Sequence, residues 1–412
     1  MLLGKWREWR HPVEFALLLA LAFFLPLREA PKNIFWLAYL IAWVVVRVRT
    51  RQWGGRLDGW DAMVAGLVVS GYLAALFGGI NRGDGNEFLA VNDIWRYGLL
   101  FVCMRRGNYA DAQKLLLLGV LVASCVIAEL EAIWNWKVIA RRPALELYSV
   151  GHVNHSAIYM TICLGVAAGV AVGAHSRLAP AWRAALGFSI LAMMSGIFLG
   201  GSRAAGAVAL VIMVAAAFIA ARVARAGRLA WLAALLVILG AVLLGGTSAL
   251  KRQIEWSATN YTLAQRDLIW NRGLVGWHAH PVFGLGMENY GAFPERQLKA
   301  WVAEQGKAYV AAEYAGSPHA HSLYLNTLVE RGIVGLMALL ALLAAWGLRL
   351  VRGWRAARDG GAVLVYWMAS ASGWFVTVAI GFANTTLHHE HAMLAVLTLA
   401  LTALPARATP DG

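Results

Sequence analysis

Three short stretches hold the side chains from which chemistry could be built. The first is Gly200-Gly201-Ser202-Arg203-Ala204-Ala205-Gly206. Its glycines let two helix ends approach closely, and an arginine at a helix start, beside exposed backbone N–H groups, makes a seat for an anion such as a phosphate. A cation there opposes the helix dipole and needs a reason to be there. The bland alternative is a turn whose arginine reaches up to lipid head groups. The second is Arg266-Asp267-Leu268-Ile269-Trp270, followed by His278-Ala279-His280-Pro281-Val282-Phe283-Gly284-Leu285-Gly286. Leu263, Trp270 and Trp277 recur at roughly helical spacing, so an amphipathic helix at the membrane interface is expected, with Arg266 starting or lining it. His278 and His280 are two residues apart, unlike the i, i+4 pair of a helical zinc site, and no metal is expected there. The third runs Pro318-His319-Ala320-His321-Ser322-Leu323-Tyr324-Leu325-Asn326 and on through Glu330-Arg331-Gly332-Ile333-Val334-Gly335-Leu336. His319 and His321 stand where a rigid helix starts, and an imidazole with an ordinary pKa of about 6.5 can take a hydroxyl proton at neutral pH.

Missing motifs narrow the chemistry. The chain has no Asp-x-Asp pair for a metal-held sugar nucleotide, since Asp58 and Asp61 are three apart, and neither a P-loop nor a Gly-x-Ser-x-Gly elbow stands out. The donor is therefore expected to arrive already energised and from the lipid side. A polyprenyl diphosphate sugar fits: its diphosphate is a good leaving group, and arginines can neutralise it as charge develops.

The elements that must position these residues are membrane helices. Of 412 residues, 60% are apolar and 14% charged, and the mean hydropathy is +0.60, a balance that excludes an ordinary soluble enzyme. Apolar runs fall at 12–27, 33–48, 60–80, 90–104, 114–135, 153–174, 182–200, 204–221, 229–247, 322–350, 362–383 and 388–404, twelve expected spans. The chain then divides into 1–247 with spans one to nine, a long polar and aromatic loop over 248–321 containing short helices, and 322–412 with spans ten to twelve and a short tail. A loop of that length in a compact fold is usually functional. The N-terminal run lacks a small-residue cleavage site and is expected to be a retained helix. Basic residues such as Arg47, Arg49, Arg51 and Arg56 mark the cytoplasmic connections, which places the long loop outside and accounts for much of the net charge of +14 without nucleic acid. Arg82, Arg141, Arg142, Arg203 and Arg266 break that bias by lying outside, as do all histidines except His11 and His175. Together they suggest a cavity that handles an anionic group. The three cysteines lie within apolar runs and imply neither disulfide nor metal site. The 19 tryptophans are assigned mainly to interfacial belts.

The Gly-Ser-Arg turn, the Arg266 segment with its His-Pro-Val-Phe-Gly-Leu-Gly sequel, and the His321 stretch with Glu-Arg-Gly-Ile-Val-Gly-Leu together resemble the O-antigen ligase/polymerase (Wzy-type) superfamily, and within it the O-antigen ligases. The resemblance is strong over about 195–345; the first six spans match only in number, hydrophobicity and topology. It implies an all-α polytopic membrane protein of GT-C-like fold in the bacterial inner membrane, with its active site facing the periplasm. The implied reaction is metal-independent, cofactor-free, inverting transfer of O-antigen from undecaprenyl diphosphate to a sugar hydroxyl of the lipid A-core oligosaccharide. The family's essential arginines map onto Arg203 and Arg266, and its essential histidine onto His321. Ser322 stands where the family more often has Asn, which keeps His319 as an alternative. Arg142 and Arg82 are expected helpers at the diphosphate, and Ser202 and Tyr324 further donor-binding candidates. The rival readings are an O-antigen polymerase, a protein O-oligosaccharyltransferase using the same donor, and an anionic lipid or solute transporter. One dominant outer loop favours a ligase over a polymerase, and the lack of internal repeats disfavours a transporter.

Overall fold

A computed structural model describes residues 10–223 and 265–403, together with Trp231, Leu235, Ile238 and Leu239. The described chain is helical, without strands. Among the described residues, eight helices are long and apolar enough to cross a membrane: α2 (Glu29–Thr50), α3 (Gly59–Phe77), α5 (Asp111–Lys137), α6 (Val153–Gly173), α7 (Pro180–Gly200), α8 (Arg203–Val223), α11 (Leu323–Ala357) and α12 (Gly361–Ile380). Three further expected runs are also helical but do not qualify as spans. α1 (Pro12–Phe24) has 13 residues and α13 (His389–Ala400) has 12, below the roughly 20 that a bilayer requires. α4 (Asn86–Arg106) has the length, but Glu87, Asp93, Arg96, Arg105 and Arg106 punctuate it. The expected span at 229–247 lies almost wholly outside the described residues. Multi-pass membrane architecture follows from the eight qualifying helices.

Local chemistry explains several helix starts. Pro12 and Pro180 open α1 and α7, where the missing N–H costs nothing. Asp58 and Asp61 form a capping box on α3: the Asp58 carboxylate accepts from Trp60 N at 3.0 Å, and Asp61 accepts from Asp58 N at 2.9 Å. The same carboxylates pair with Arg105 and Arg106, so their three-residue spacing is structural.

α6 is the central helix. Every residue from Ser156 to Gly169 is buried, and α5, α7, α8, α12 and α13 all pack on it. Gly165, Gly169 and Gly173 form a stripe against α12, where a Cβ would stand 2.1 Å from Ser372, 3.0 Å from Met368 and 2.7 Å from Val365. Small residues of this kind let membrane helices approach closely.

The part of the long loop that is described builds a second, smaller core from Ile269, Val275, Leu285, Tyr290, Phe293, Leu298, Trp301 and Val329. It holds two short helices, α9 (Arg266–Ala279) and α10 (Glu295–Glu304). α9 buries Ile269, Gly273, Val275 and Gly276 against its own loop, with Gly273 under the Tyr290 ring and Gly276 under Leu285. It packs on protein through two apolar side chains and two glycines.

The loop is locked into the membrane part by a break in α11. Gly332 has φ 62 and ψ −164, which splits the helix into two pieces. The backbone groups freed by the break are taken up by the His-Pro-Val-Phe-Gly-Leu-Gly segment. Leu285 N and Gly286 N donate to Val329 O and Glu330 O at 2.8 and 3.0 Å, while Ile333 N and Val334 N donate to Pro281 O and Val282 O at 2.9 and 3.3 Å. Gly79 N and Ile80 N, just past α3, then donate to Gly284 O and Leu285 O at 3.0 and 3.1 Å. Two glycine motifs far apart in the chain thus satisfy one another's backbone groups.

Candidate active site

Two arginines each open a helix, near enough for the charge of one to act on the other. Gly201, with φ 72, ends α7, and Ser202 O accepts from Gly206 N at 2.9 Å, so that exposed Arg203 becomes the first residue of α8. Arg266 is the first residue of α9, after Gln265 in a left-handed conformation. Burial, and after it the nearby charge of Arg203, push the Arg266 pKa below its ordinary value. Two mutually repelling guanidinium groups, each at a positive helix end, form an arrangement that an anion between them would relieve.

Beside this pair stands the His319–His321 segment, pinned at several points. Trp270 Nε1, one turn along α9 from Arg266, donates to Ala320 O at 2.8 Å. Ala320 N donates to Asn326 Oδ1 at 2.9 Å, and Asn326 Nδ2 donates to the buried Glu330 carboxylate at 2.9 Å. Ser322 caps α11, and Leu323 N donates to Gly381 O at 2.7 Å, tying the segment to the end of α12. His321 sits between these anchors with φ 48, a conformation rare for a non-glycine residue and frequent at functional sites. The rings of His319 and His321 meet edge to face with centroids 4.3 Å apart.

The electrostatics keep both imidazoles neutral. His321 is lowered to about 4, first by burial and then by His319, Arg266 and His152. His319 is also lowered, by burial and then by His152. A neutral imidazole at physiological pH is the form able to accept a proton. His319 further lines a cavity of about 330 Å³ with Asp93, His155, Asn326, Glu330 and Arg331. An open groove of about 640 Å³ adjoins it, sharing Arg82, Glu288 and Pro318.

Residues 188–340 match the family model described as O-antigen ligase, Wzy_C. The chain carries an O-antigen ligase domain. No curated protein matches the chain. The ligase domain takes in Arg203, Arg266, His319, His321 and the Gly332 break, and it supports an enzyme of the ligase/polymerase type acting on lipid-linked polysaccharide.

The structure thus groups Arg203, Arg266, His319 and His321, with Ser202 buried in the turn that presents Arg203. The other candidates are engaged elsewhere. Arg82 donates from Nε to Asn289 Oδ1 at 2.6 Å and from Nη2 to Glu288 O, so it struts the rim where cavity and groove meet. Arg142 pairs with Glu146 at 2.9 Å and lies over the Tyr148 ring. The Tyr324 hydroxyl donates to Val378 O at 2.9 Å, and its ring packs on Phe382. His278 Nδ1 is 2.8 Å from Leu274 O and His280 packs edge-on to Trp301, so neither joins the group. Sequence reasoning missed His152, which caps α6 by accepting from Asn154 N at 3.2 Å and lies near enough to both site histidines to help lower their pKa. A histidine at the start of an apolar span was the available signal.

Proposed function

We propose that the protein transfers O-antigen polysaccharide from undecaprenyl diphosphate to a sugar hydroxyl of lipid A-core, at the periplasmic face of the bacterial inner membrane. The observation that carries this reading is the pairing of Arg203 and Arg266 at two helix starts, next to an imidazole that the same surroundings keep neutral. His321 accepts the proton of the acceptor hydroxyl, whose oxygen attacks the anomeric carbon on the side opposite the diphosphate. A single in-line displacement inverts that centre and releases undecaprenyl diphosphate. Arg203 and Arg266 hold the diphosphate and stabilise the charge it gains. Removing one such donor typically costs about 10²–10³ in rate. His319, one residue before the Ala320 anchor and lining the cavity, is the alternative base.

The test is reconstitution of purified protein with lipid-linked glycan and lipid A-core, in the absence of any gradient. A joined lipopolysaccharide product with inverted anomeric configuration is expected. No product, or a product with retained configuration, overturns the mechanism. Elongation of one lipid-linked glycan by another would make the protein a polymerase instead.

A further inference from the structure

A cluster outside the 188–340 match stands where α4 meets the start of α13. Asp93 Oδ2 lies 3.4 Å from His388 Nε2 and 3.9 Å from His389 Nδ1. The three candidate donor atoms lie within 4.8 Å of one another. These separations are longer than the roughly 2.7–3.2 Å of an N–H···O hydrogen bond. Ligands about 2.0–2.2 Å from one ion stand about 3.3–3.6 Å apart at a tetrahedral edge; the 3.4 Å separation falls in that range, and the 3.9 Å one closes to it by a small turn of the half-exposed His389 ring. The carboxylate's other oxygen, Oδ1, is 3.6 Å from Arg96 Nη1, which leaves Oδ2 to the imidazoles. His388 Nδ1 is buried without a hydrogen-bond partner among the described residues, so the ring's polar approach is through Nε2 toward Asp93. His389 holds φ 47, a left-handed conformation that brings its ring beside that of His388, with centroids 3.5 Å apart.

We propose that Asp93, His388 and His389 form a binding site for a divalent transition-metal ion. Two imidazoles and one carboxylate are a borderline donor set that suits Zn²⁺ or Fe²⁺, whereas Mg²⁺ and Ca²⁺ prefer oxygen ligands throughout. Three protein ligands leave a fourth position for water. Asp93 and His388 line the cavity that also holds His319, and Asp93 and His389 line a small cleft with Lys32 and Glu390 on the other side. An ion there stands in the wall between the two and staples α4 to the start of α13. This role is independent of the glycosyl transfer proposed above.

Full-length protein without a polyhistidine tag, stripped with a chelator and held in nanodiscs, is titrated with Zn²⁺ against a competing chromophoric chelator. One Zn²⁺ per chain is expected, with a rise in thermal unfolding midpoint that Mg²⁺ does not reproduce. Asp93→Asn and His389→Ala should each weaken binding by about 100-fold or more, since losing even an outer partner of a metal ligand costs ~10–100-fold. His389 is half-exposed, so its truncation leaves the fold intact even if Asp93→Asn does not. Absence of stoichiometric Zn²⁺ binding, or binding unchanged in His389→Ala, overturns the proposal.

Discussion

The sharpest test of how the site is held is Gly332→Ala, which adds one methyl group at the break in α11. The backbone there, at φ 62 and ψ −164, belongs to a region that only glycine occupies readily, and forcing another residue into it costs about 1–3 kcal/mol. The new Cβ would stand 2.1 Å from Val282 O and 2.3 Å from Val282 C, so the 281–286 segment has to move. Overpacking of this kind adds about 1–3 kcal/mol. The combined ~2–6 kcal/mol is a large share of the ~5–15 kcal/mol that holds a typical domain, and it falls on the contacts that tie loop to helix. Gly284→Ala attacks the same clamp from the other side, with φ 71 and a Cβ 2.5 Å from Glu330 C. Gly119→Ala is the control, because nothing lies within 4 Å of its Cβ. Thermal unfolding followed by tryptophan fluorescence, together with glycan transfer by reconstituted protein, should show large losses in the first two variants and neither loss in the third. Wild-type stability and transfer in Gly332→Ala would refute the clamp as the device that positions the site.

Alanine at Arg203 or Arg266 should lower transfer by about 10²–10³, and Arg266→Lys should recover only part of it because the planar fork is lost; rates unchanged in membranes of normal expression would contradict their roles. Arg142→Ala should leave transfer by reconstituted protein near wild type, and Arg82→Ala should show chiefly as a lower midpoint of thermal unfolding. Asn326→Ala frees Ala320 N and the Glu330 carboxylate and so loosens the histidine segment; with each unpaired buried group costing about 1–3 kcal/mol, slower transfer is expected, and an unchanged turnover number would show that Asn326 does not position the segment. For pH, the competent base is neutral imidazole and His321 is lowered to about 4. Transfer by kcat/KM should therefore stay level from neutrality down to about pH 5 and fall below it. A limb centred on the ordinary histidine value would rule His321 out as the base in this environment. The same shift makes the unfolded chain bind the extra proton, so this group's stabilising contribution is complete above the ordinary pKa of 6.5 and is lost as pH falls toward 4.

What the sequence made legible was local. Apolar runs located the helices, Arg266 was readable as a helix start, and Ser322, which departs from the family's commoner residue, proves to be a side chain that caps α11. Arg203 and Arg266 were each readable as an anion seat, but their approach joins positions 63 apart in numbering and left no periodic trace. The glycine motifs around Gly284 and Gly332 were visible as motifs; that each completes the other's backbone hydrogen bonds is a non-local fact. Arg82 shows the opposite limit. An outer arginine looks the same in sequence whether it awaits a ligand or, as here, holds Asn289 and Glu288. The helical spacing of Trp270 and Trp277 located α9 but not its buried face, which is made by Ile269, Gly273, Val275 and Gly276.

The interlocked glycine segments also bear on biogenesis. The stretch that closes the gap in α11 is translated some fifty residues before the gap itself, and in the proposed topology it must already have crossed the bilayer when α11 inserts. Until the two meet, the backbone flanking Gly332 lacks the four hydrogen bonds that the 281–286 segment supplies. Insertion and maturation are then separate events: the helices can be threaded by the translocation machinery in any state of the loop, but a finished catalyst exists only after that exported stretch has docked. Substitutions at either glycine should consequently be seen first by membrane quality-control proteases, as short-lived full-length chains.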